Sequence, residues 1–332
     1  MRAWLMESYE GVESLRLTEV AELQPGTGQV LLKTLFAALN PADAFLAKKM
    51  YPAKPPLPHI LGRDGVGEVI ALGADVDTHL LGQKLGILRG SVGVDAWGTL
   101  AEKVVAPVAN LVPIPNGWSL EEMAGAPLVF LTAWQALTQW NEPPAPPRES
   151  SVLLVTGASG GVGTASVLLG KALNLFVVAL SRSSEKAAQL KKLEADLVFN
   201  PGDRDLSKQI VAAIAPKKVD LAIDNVGGAL FNDVVATLAY RGCVSVVGRS
   251  GGAVPEFNTA TLFFRRNRIG GVGVADYTPE AAQAAWKQIV ILLEAAHRRP
   301  VVDQVYPFGE VKAAFARLAQ GPMGKVLVRV AG

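Results

Sequence analysis

Val152-Leu153-Leu154-Val155-Thr156-Gly157-Ala158-Ser159-Gly160-Gly161-Val162-Gly163 runs from continuous apolar residues into a glycine-rich turn. After the turn, Val162, Ala165, Ser166, Leu169, Ala172 and Leu173 recur at the spacing of one helix face. A buried parallel strand needs the apolar run, and a turn without side chains lets the backbone approach a pyrophosphate. The helix that follows offers unpaired N–H groups and a positive dipole end. In that order the three pieces read as a dinucleotide site, with Ala158, Ser159, Gly160, Gly161, Val162 and Gly163 against the phosphates.

Working outward, β-rich runs at 176–180, 197–199, 219–223, 244–247 and 269–274 alternate with helical periodicity such as Ala187, Leu190, Leu193 and Ile210, Val211, Ile214. Such alternation predicts a doubly wound parallel sheet with right-handed crossovers. Upstream, short strands at 29–35, 65–71 and 99–105 are punctuated by glycine and suggest a small barrel. Between them, Asn40-Pro41-Ala42-Asp43 and the proline-rich 50–58 read as stiff turns that can place side chains for chemistry. Ser119 with Glu122 makes a capping box where the character changes from β to α/β. A helix is expected over 129–140, ending in the proline-rich loop 141–147. Beyond Val274, a helix carrying Ala282, Ala285, Trp286, Ile289, Leu293 and Ala296 leads to a terminal strand at 325–330, expected to return to the first sheet. The expected architecture is α/β, with a discontinuous catalytic domain over 1–122 and 275–332 and a dinucleotide-binding domain over 123–274.

The 332 residues are 50% hydrophobic, which suits two cores with parallel strands covered on both faces. No stretch approaches the roughly 18 consecutive apolar residues of a membrane span. The start, with Arg2, Glu7 and Glu10, does not resemble a signal peptide, so a cytoplasmic protein without a membrane partner is expected. With 32 basic and 30 acidic residues the charge is nearly balanced and gives no reason to expect nucleic acid. The short cluster Arg265, Arg266, Arg268 reads as a solvated or interfacial edge. Cys243 is the single cysteine, which excludes an intramolecular disulfide and a thiolate metal cage within one chain. His59, His79 and His297 are too scattered to suggest a metal site.

An NAD site wants an acidic residue about 20 positions past the glycines. Ser181 stands there instead, followed by Arg182 and, one helical turn on, Lys186. A hydroxyl and two cations suit the 2′-phosphate of NADPH, because arginine can fork onto a phosphate that a carboxylate would repel. The alternative is two solvent-facing cations at a helix start.

With Asn40-Pro41-Ala42-Asp43, Tyr51-Pro52, Leu61-Gly62-Arg63-Asp64-Gly65-Val66-Gly67-Glu68-Val69, Leu131-Thr132-Ala133-Trp134, the glycine turn, Asp224-Asn225-Val226-Gly227-Gly228 and Gly324-Lys325-Val326, the chain resembles the zinc-independent medium-chain dehydrogenase/reductase superfamily, in its quinone oxidoreductase and enoyl reductase branch. The resemblance implies a GroES-like β-barrel catalytic domain, a Rossmann domain, a cleft between them, and commonly a homodimer joined through the last Rossmann strands. Zinc-dependent relatives carry a cysteine at the position of Asn40 and a histidine-glutamate pair at Arg63 and Asp64, so no metal is expected here. Without a Lewis acid, conjugate reduction is less demanding than reduction at a carbonyl, because charge spreads into an enolate. Tyr51 is the candidate for binding that oxygen or delivering the proton, unless it only packs in its loop and water protonates. Asn40 is the candidate for orienting substrate and nicotinamide ribose. The resemblance further implies Thr132 near that ribose, Asn225 and Val226 near the end of the fourth strand, Gly248 and Arg249 beneath the nicotinamide half, and Lys325 reaching NADP(H) from the other domain. Several quinone reductases place a tyrosine after the third strand, where this chain has Pro201. The expected function is reduction of quinones or of enones and enals by NADPH. The alternatives are an enoyl-thioester reductase and an NADPH-binding structural or sensing protein.

Overall fold

In the computed structural model, which describes residues 1–88, 90–142 and 145–331, the chain forms two compact units. The first comprises 1–128, 275–287 and 300–332, and the second 129–274 and 288–299. Chain entry into the first unit runs β1 (Arg2–Met6), β2 (Arg16–Glu19), β3 (Gln29–Ala38), α1 (Pro41–Ala47), β4 (His59–Ile60), β5 (Asp64–Leu72), β6 (Lys84–Ile87), β7 (Lys103–Pro107), β8 (Leu111–Pro113) and α2 (Leu120–Gly125). The second unit holds α3 (Pro127–Thr138) for most of its length, then β9 (Val152–Val155), α4 (Gly161–Ala172), β10 (Phe176–Leu180), α5 (Ser184–Lys192), β11 (Leu197–Phe199), α6 (Leu206–Ile214), β12 (Val219–Asp224), α7 (Leu230–Thr237), β13 (Leu238–Val246), α8 (Thr259–Arg265) and β14 (Arg268–Gly271). The chain then passes through α9 (Pro279–Ala295) to β15 (Val302–Pro307), α10 (Val311–Ala319) and β16 (Lys325–Arg329).

β3 organises the first unit. Eight of its ten residues are buried, and it pairs antiparallel with β5, β7 and β16. Among the described residues it lies inside a seven-stranded sheet, with a smaller sheet of β2, β1 and β4 beside it in sequence. Val30, Leu32, Val69, Leu85, Ile87 and Val104 are buried together there. Each such side chain contributes about 1.5–3 kcal/mol by leaving water. The terminal strand does return: Leu327 opposes Ala38 and Arg329 opposes Phe36. It brings β15 with it in parallel, a strand the sequence pattern had not shown.

Three local expectations in this unit need correction. The stretch from Pro41 is a helix rather than a turn, because Asn40 caps it, Pro41 fits the first helical position and Asp43 completes a capping box. The strand expected at 99–105 begins only at Lys103. Before it, the Thr99 and Leu100 N–H groups donate to the Gly62 and Leu61 carbonyls, so this segment clamps the 61–64 turn instead of extending a ladder. The unit also runs through Leu128, past the expected break at 122/123, because Met123 of α2 packs onto β6 so closely that a Cβ at Gly86 would fall on its side chain.

The second unit is a parallel sheet in the order β11-β10-β9-β12-β13-β14. β9, β10 and β11 span the expected residues. β14 is shorter than the expected 269–274, since Gly270, Gly271 and Gly273 supply little to hold a strand and Val274 enters a short 3₁₀ turn. α3 starts and ends two residues before the expected 129–140 helix. Of the proline-rich loop, Pro143 and Pro144 lie outside the described residues. No helix among the described residues is long and apolar enough to cross a membrane.

Candidate active site

In the second unit, β9 ends at Val155 and the glycine turn carries the chain into α4. Gly157 takes φ of 55°, a left-handed conformation that glycine adopts without strain. A Cβ at Gly163 would stand 2.3 Å from the Gly157 carbonyl oxygen, so helix and turn meet only because that side chain is missing. Gly160 caps α4 without a side-chain hydrogen bond, and a Cβ there would meet one atom, 3.5 Å away. The cradle is therefore open at the helix start, where N–H groups and dipole favour an anion.

The neighbouring turn is built to hold that shape. Thr156 Oγ donates to the buried Asp224 carboxylate at 2.6 Å, and the Val226 and Gly227 N–H groups donate to the same carboxylate at 3.1 Å. Asn225 donates from Nδ2 to the Thr156 carbonyl at 2.8 Å. Thus Thr156 holds Asn225 and Asp224 holds both Val226 and the Thr156 hydroxyl, a bracing role the 224–228 motif did not by itself assign to Asp224. Ser181 follows β10 and is buried, with its hydroxyl shared between the Ser183 N–H and carbonyl. Arg182 is exposed, and Lys186 sits in the first turn of α5, its N–H donating to the Ser183 hydroxyl. Gly248 lies against the Asn225 carbonyl, while Arg249 is exposed beyond β13. Thr132 is buried in α3.

The first unit assembles a different kind of site. Lys325 Nζ donates to Asn40 Oδ1 at 2.6 Å and to Asp64 Oδ2 at 3.0 Å, and Asn40 Nδ2 donates to the same Asp64 oxygen at 3.1 Å. The Leu128 N–H donates to the other Asp64 oxygen at 3.2 Å. On the far side of Asn40, its backbone N–H donates to Asp43 Oδ2, and Arg63 Nε donates to Asp43 Oδ1, both at 2.9 Å. The side chains of Arg63 and Lys325 are only 6% and 5% exposed. Two buried carboxylates are thereby neutralised by two buried cations, with Asn40 as the link.

Tyr51 packs its ring against Arg63, whose guanidinium carbon lies 4.6 Å from the ring centroid. Burial works against charge on Arg63, but Asp43 and Tyr51 outweigh it and hold its pKa above the ordinary value. Arg63 Nη2 is buried without a hydrogen-bond partner among the described residues, as is His59 Nε2. His59 is 1% exposed, and burial pushes its pKa down to about 4.

Comparison with known proteins matches both units. Residues 26–116 fit the model of the alcohol dehydrogenase GroES-like domain, and 161–293 fit that of the zinc-binding dehydrogenase. The quinone oxidoreductase of Pseudomonas aeruginosa is 27% identical over 318 residues, which cover 94% of this chain and 94% of the relative. Quinone oxidoreductase-like protein 2 of Rattus norvegicus is 28% identical over 323 residues, 95% of this chain and 89% of the relative. A crystal structure of an NAD-dependent alcohol dehydrogenase aligns with 100% of both chains at 30% identity and a TM-score of 0.91. The chain belongs to the medium-chain dehydrogenase/reductase superfamily, in its quinone oxidoreductase branch.

As a medium-chain dehydrogenase/reductase it is an oxidoreductase served by a nicotinamide cofactor. A mycobacterial protein solved with NADPH shares the fold, with a TM-score of 0.88 over 99% of this chain and 100% of that one at 24% identity. The sequence-predicted residues fall into two groups. Those from Ala158 to Gly163, with Ser181, Asn225 and Val226, gather at the carboxyl ends of β9, β10 and β12. Asn40 and Lys325 meet in the first unit, and Tyr51 joins them through Arg63, Asp43 and the Asn40 backbone. Lys325, expected to reach the cofactor, directs its ammonium to Asn40 and Asp64. Arg63 and Asp64, legible in the sequence as part of the 61–69 motif and as replacements of zinc ligands, carry ion pairs to Asp43 and Lys325. Asp43 carried one readable signal, its place three residues after a capping asparagine.

Proposed function

We propose that this medium-chain dehydrogenase/reductase is a zinc-independent, NADPH-dependent reductase that works in the cytoplasm on quinones or on the C=C bond of α,β-unsaturated carbonyl compounds. The observation that carries the reading is the closed charge network around Asn40. At the positions where zinc relatives hold metal, Asp64 is bound to Lys325 and Asp43 to Arg63, so a divalent ion would have to displace two buried ammonium or guanidinium contacts. Among the described residues, no three histidine, cysteine, aspartate or glutamate side chains group as a metal site. That donor set does not fit zinc.

When bound, the nicotinamide supplies hydride. The N–H groups at the start of α4 hold the pyrophosphate, with Gly160 leaving room for it. Ser181, Arg182 and Lys186 bind the 2′-phosphate, where an NAD enzyme would need a carboxylate. Asn225, held by Thr156, and Val226, held by Asp224, line the nicotinamide half with Gly248 and Arg249, and Thr132 adds its hydroxyl at the ribose. In the first unit, Tyr51 binds the substrate carbonyl oxygen or returns a proton. Asn40 acts through its fixed amide as a positioning residue, because its oxygen and nitrogen are already engaged. The protein works as a homodimer. This is supported by β14 at one edge of the parallel sheet and by Phe263 and Phe264 on α8, 77% and 74% exposed, which a second copy would cover.

The test is oxidation of NADPH against NADH with a quinone, a short enal and an enoyl thioester, before and after dialysis against a chelator. The expected result is turnover unchanged by chelation, about tenfold faster with NADPH at subsaturating cofactor, from a species that sediments as a dimer. Loss of turnover on chelation would restore a metal. A thioester reduced far faster than the matching enal would make it an enoyl-thioester reductase, and tight NADPH binding without turnover would make it a binding protein.

A further inference from the structure

The basic cluster at 265–268 divides into one arginine that the fold uses and two that it leaves over. Arg265 Nη1 donates to the Ala236 and Leu238 carbonyls at 2.8 and 3.0 Å, and Asn267 Nδ2 donates to the Ala239 and Gly242 carbonyls at 2.7 and 3.2 Å. These four contacts staple the end of α8 onto the 236–242 segment. Arg266, between the two staples, takes a left-handed φ of 53° as the helix ends. Arg268 opposes Cys243 in the parallel ladder of β13 and β14. Its guanidinium carbon lies 5.2 Å from the Trp140 ring centroid, and its Nη1 donates to the Trp140 carbonyl at 3.4 Å. Together with Arg241, these two arginines line a cavity of about 380 Å³ within the second unit. Among the described residues none of the three forms an ion pair. Asp220, the carboxylate whose charge reaches the Cys243 thiol, accepts the Val152 N–H at 2.8 Å.

From this geometry we propose that Arg241, Arg266 and Arg268 form a binding site for the diphosphate group of a small molecule. Three guanidiniums around one hollow repel one another, and an anion seated between them turns that repulsion into attraction. Each guanidinium is a planar fork that matches phosphate oxygens in pairs. One carboxylate has too few oxygens for three forks, whereas a diphosphate presents oxygens on two phosphorus atoms. The site is separate from the cofactor cradle. The pairing of β13 with β14 starts at Cys243 with Arg268 and runs toward Val246 with Gly271, while the glycine turn stands past the carboxyl end of β9. The arginines therefore sit toward the amino ends of the same parallel strands, and the proposal does not depend on the reductase reading. Free pyrophosphate and a nucleoside diphosphate share the recognised chemistry. The Tyr240 ring, 61% exposed and 5.8 Å from the Arg241 guanidinium carbon, is placed to stack on the organic part of the second.

The experiment titrates inorganic pyrophosphate calorimetrically into the full-length protein held in excess NADPH, so that the glycine turn is already filled. Arg241→Gln, Arg266→Gln, Arg268→Gln and the triple variant are run beside it, with Arg16→Gln as an exposed charge removed from the first unit. Expected is one pyrophosphate per chain with a Kd of about 100 μM at low salt, weaker by about tenfold in each single variant and lost in the triple. Arg16→Gln should keep the wild-type affinity, and added salt should weaken binding. ADP distinguishes the two sources. Tighter binding than pyrophosphate, reversed by Tyr240→Ala, makes the occupant a nucleoside diphosphate, and equal or weaker binding makes it the free anion. In a protein that binds no NADPH the same variants still read the site, because anions held by the glycine turn remain when the arginines are gone. Failure of the wild type to bind pyrophosphate, or equal affinity in the wild type and the triple variant, would overturn the proposal. A wild-type dimer that binds no pyrophosphate and a triple variant that sediments as a monomer would assign the arginines to an interface between copies instead.

Discussion

The cradle of the second unit and the network of the first do comparable work with opposite materials. The cradle is contiguous and made of neutral backbone, with glycines from 157 to 163 shaping it and one buried carboxylate, Asp224, bracing the next turn. Around Asn40 the site is made of charges brought from far apart: Lys325 lies 285 positions from Asn40 and 261 from Asp64. A site built from backbone can lose affinity without losing its fold, whereas a site built from paired buried charges carries stability and geometry in the same contacts. The comparison breaks most directly at Lys325. Lys325→Met should cost about 3–5 kcal/mol in urea unfolding, because Asp64 keeps a buried charge with its cation gone. Lys325→Met/Asp64→Leu should recover part of that loss. Equal stability of Lys325→Met and the wild type would mean the pair is hydrated and the network does not brace the unit.

That difference also decides what could be read from sequence. The order of apolar run, glycines and helix periodicity spans consecutive residues, and backbone chemistry follows from it directly, which is why β9, β10 and β11 fall where expected. A pairing between Lys325 and Asn40 leaves no local trace, since only the antiparallel return of β16 onto β3 brings them together. The return itself was legible as a β-rich terminus, but not that it would deliver an ammonium to Asn40 and Asp64. α1 shows the intermediate case. Its Asn-Pro-x-Asp pattern is both a turn signal and a helix start, and Asp43 decides for the helix by closing the capping box. β15 escaped because none of its residues is buried and Asp303 and Gln304 sit together in its middle, so it shows neither alternation nor a continuous apolar run.

His59 sharpens the comparison by asking whether the first unit responds to acid as a buried ionic assembly should. Its pKa is lowered from 6.5 to about 4 by burial, so between those values the unfolded chain binds a proton that the folded protein refuses. Stability should therefore be full above pH 6.5, fall as pH drops toward 4, and level off below, with about 3 kcal/mol lost over the window. Glu102, lowered from 4.5 first by the Arg2 backbone N–H and then by its side chain, begins to contribute acid sensitivity only below its unfolded value. Chemical denaturation of the wild type and His59→Asn at several pH values between 7 and 4 separates the two, since the variant should lose most of the slope above pH 4.5. Parallel slopes would show that His59 takes up a proton in the folded state.

The smallest expected effect lies in the second unit and is the cleaner for it. Gly160 has extended backbone angles that alanine accepts, and a Cβ there would meet only the Gly157 oxygen at 3.5 Å, an ordinary contact. Gly160→Ala should leave the free protein within about 0.5 kcal/mol of wild-type stability. Its methyl group would nonetheless stand at the open side of the cradle, where a pyrophosphate needs bare backbone, and NADPH affinity should fall about tenfold, or about 1.4 kcal/mol. Titration of NADPH fluorescence beside urea unfolding reads both quantities. Binding lost with stability kept is the signature of a backbone-built site, the reverse of what Lys325→Met should show. If affinity survives, the pyrophosphate does not pass Gly160, and the phosphate contacts belong to the N–H groups deeper in α4.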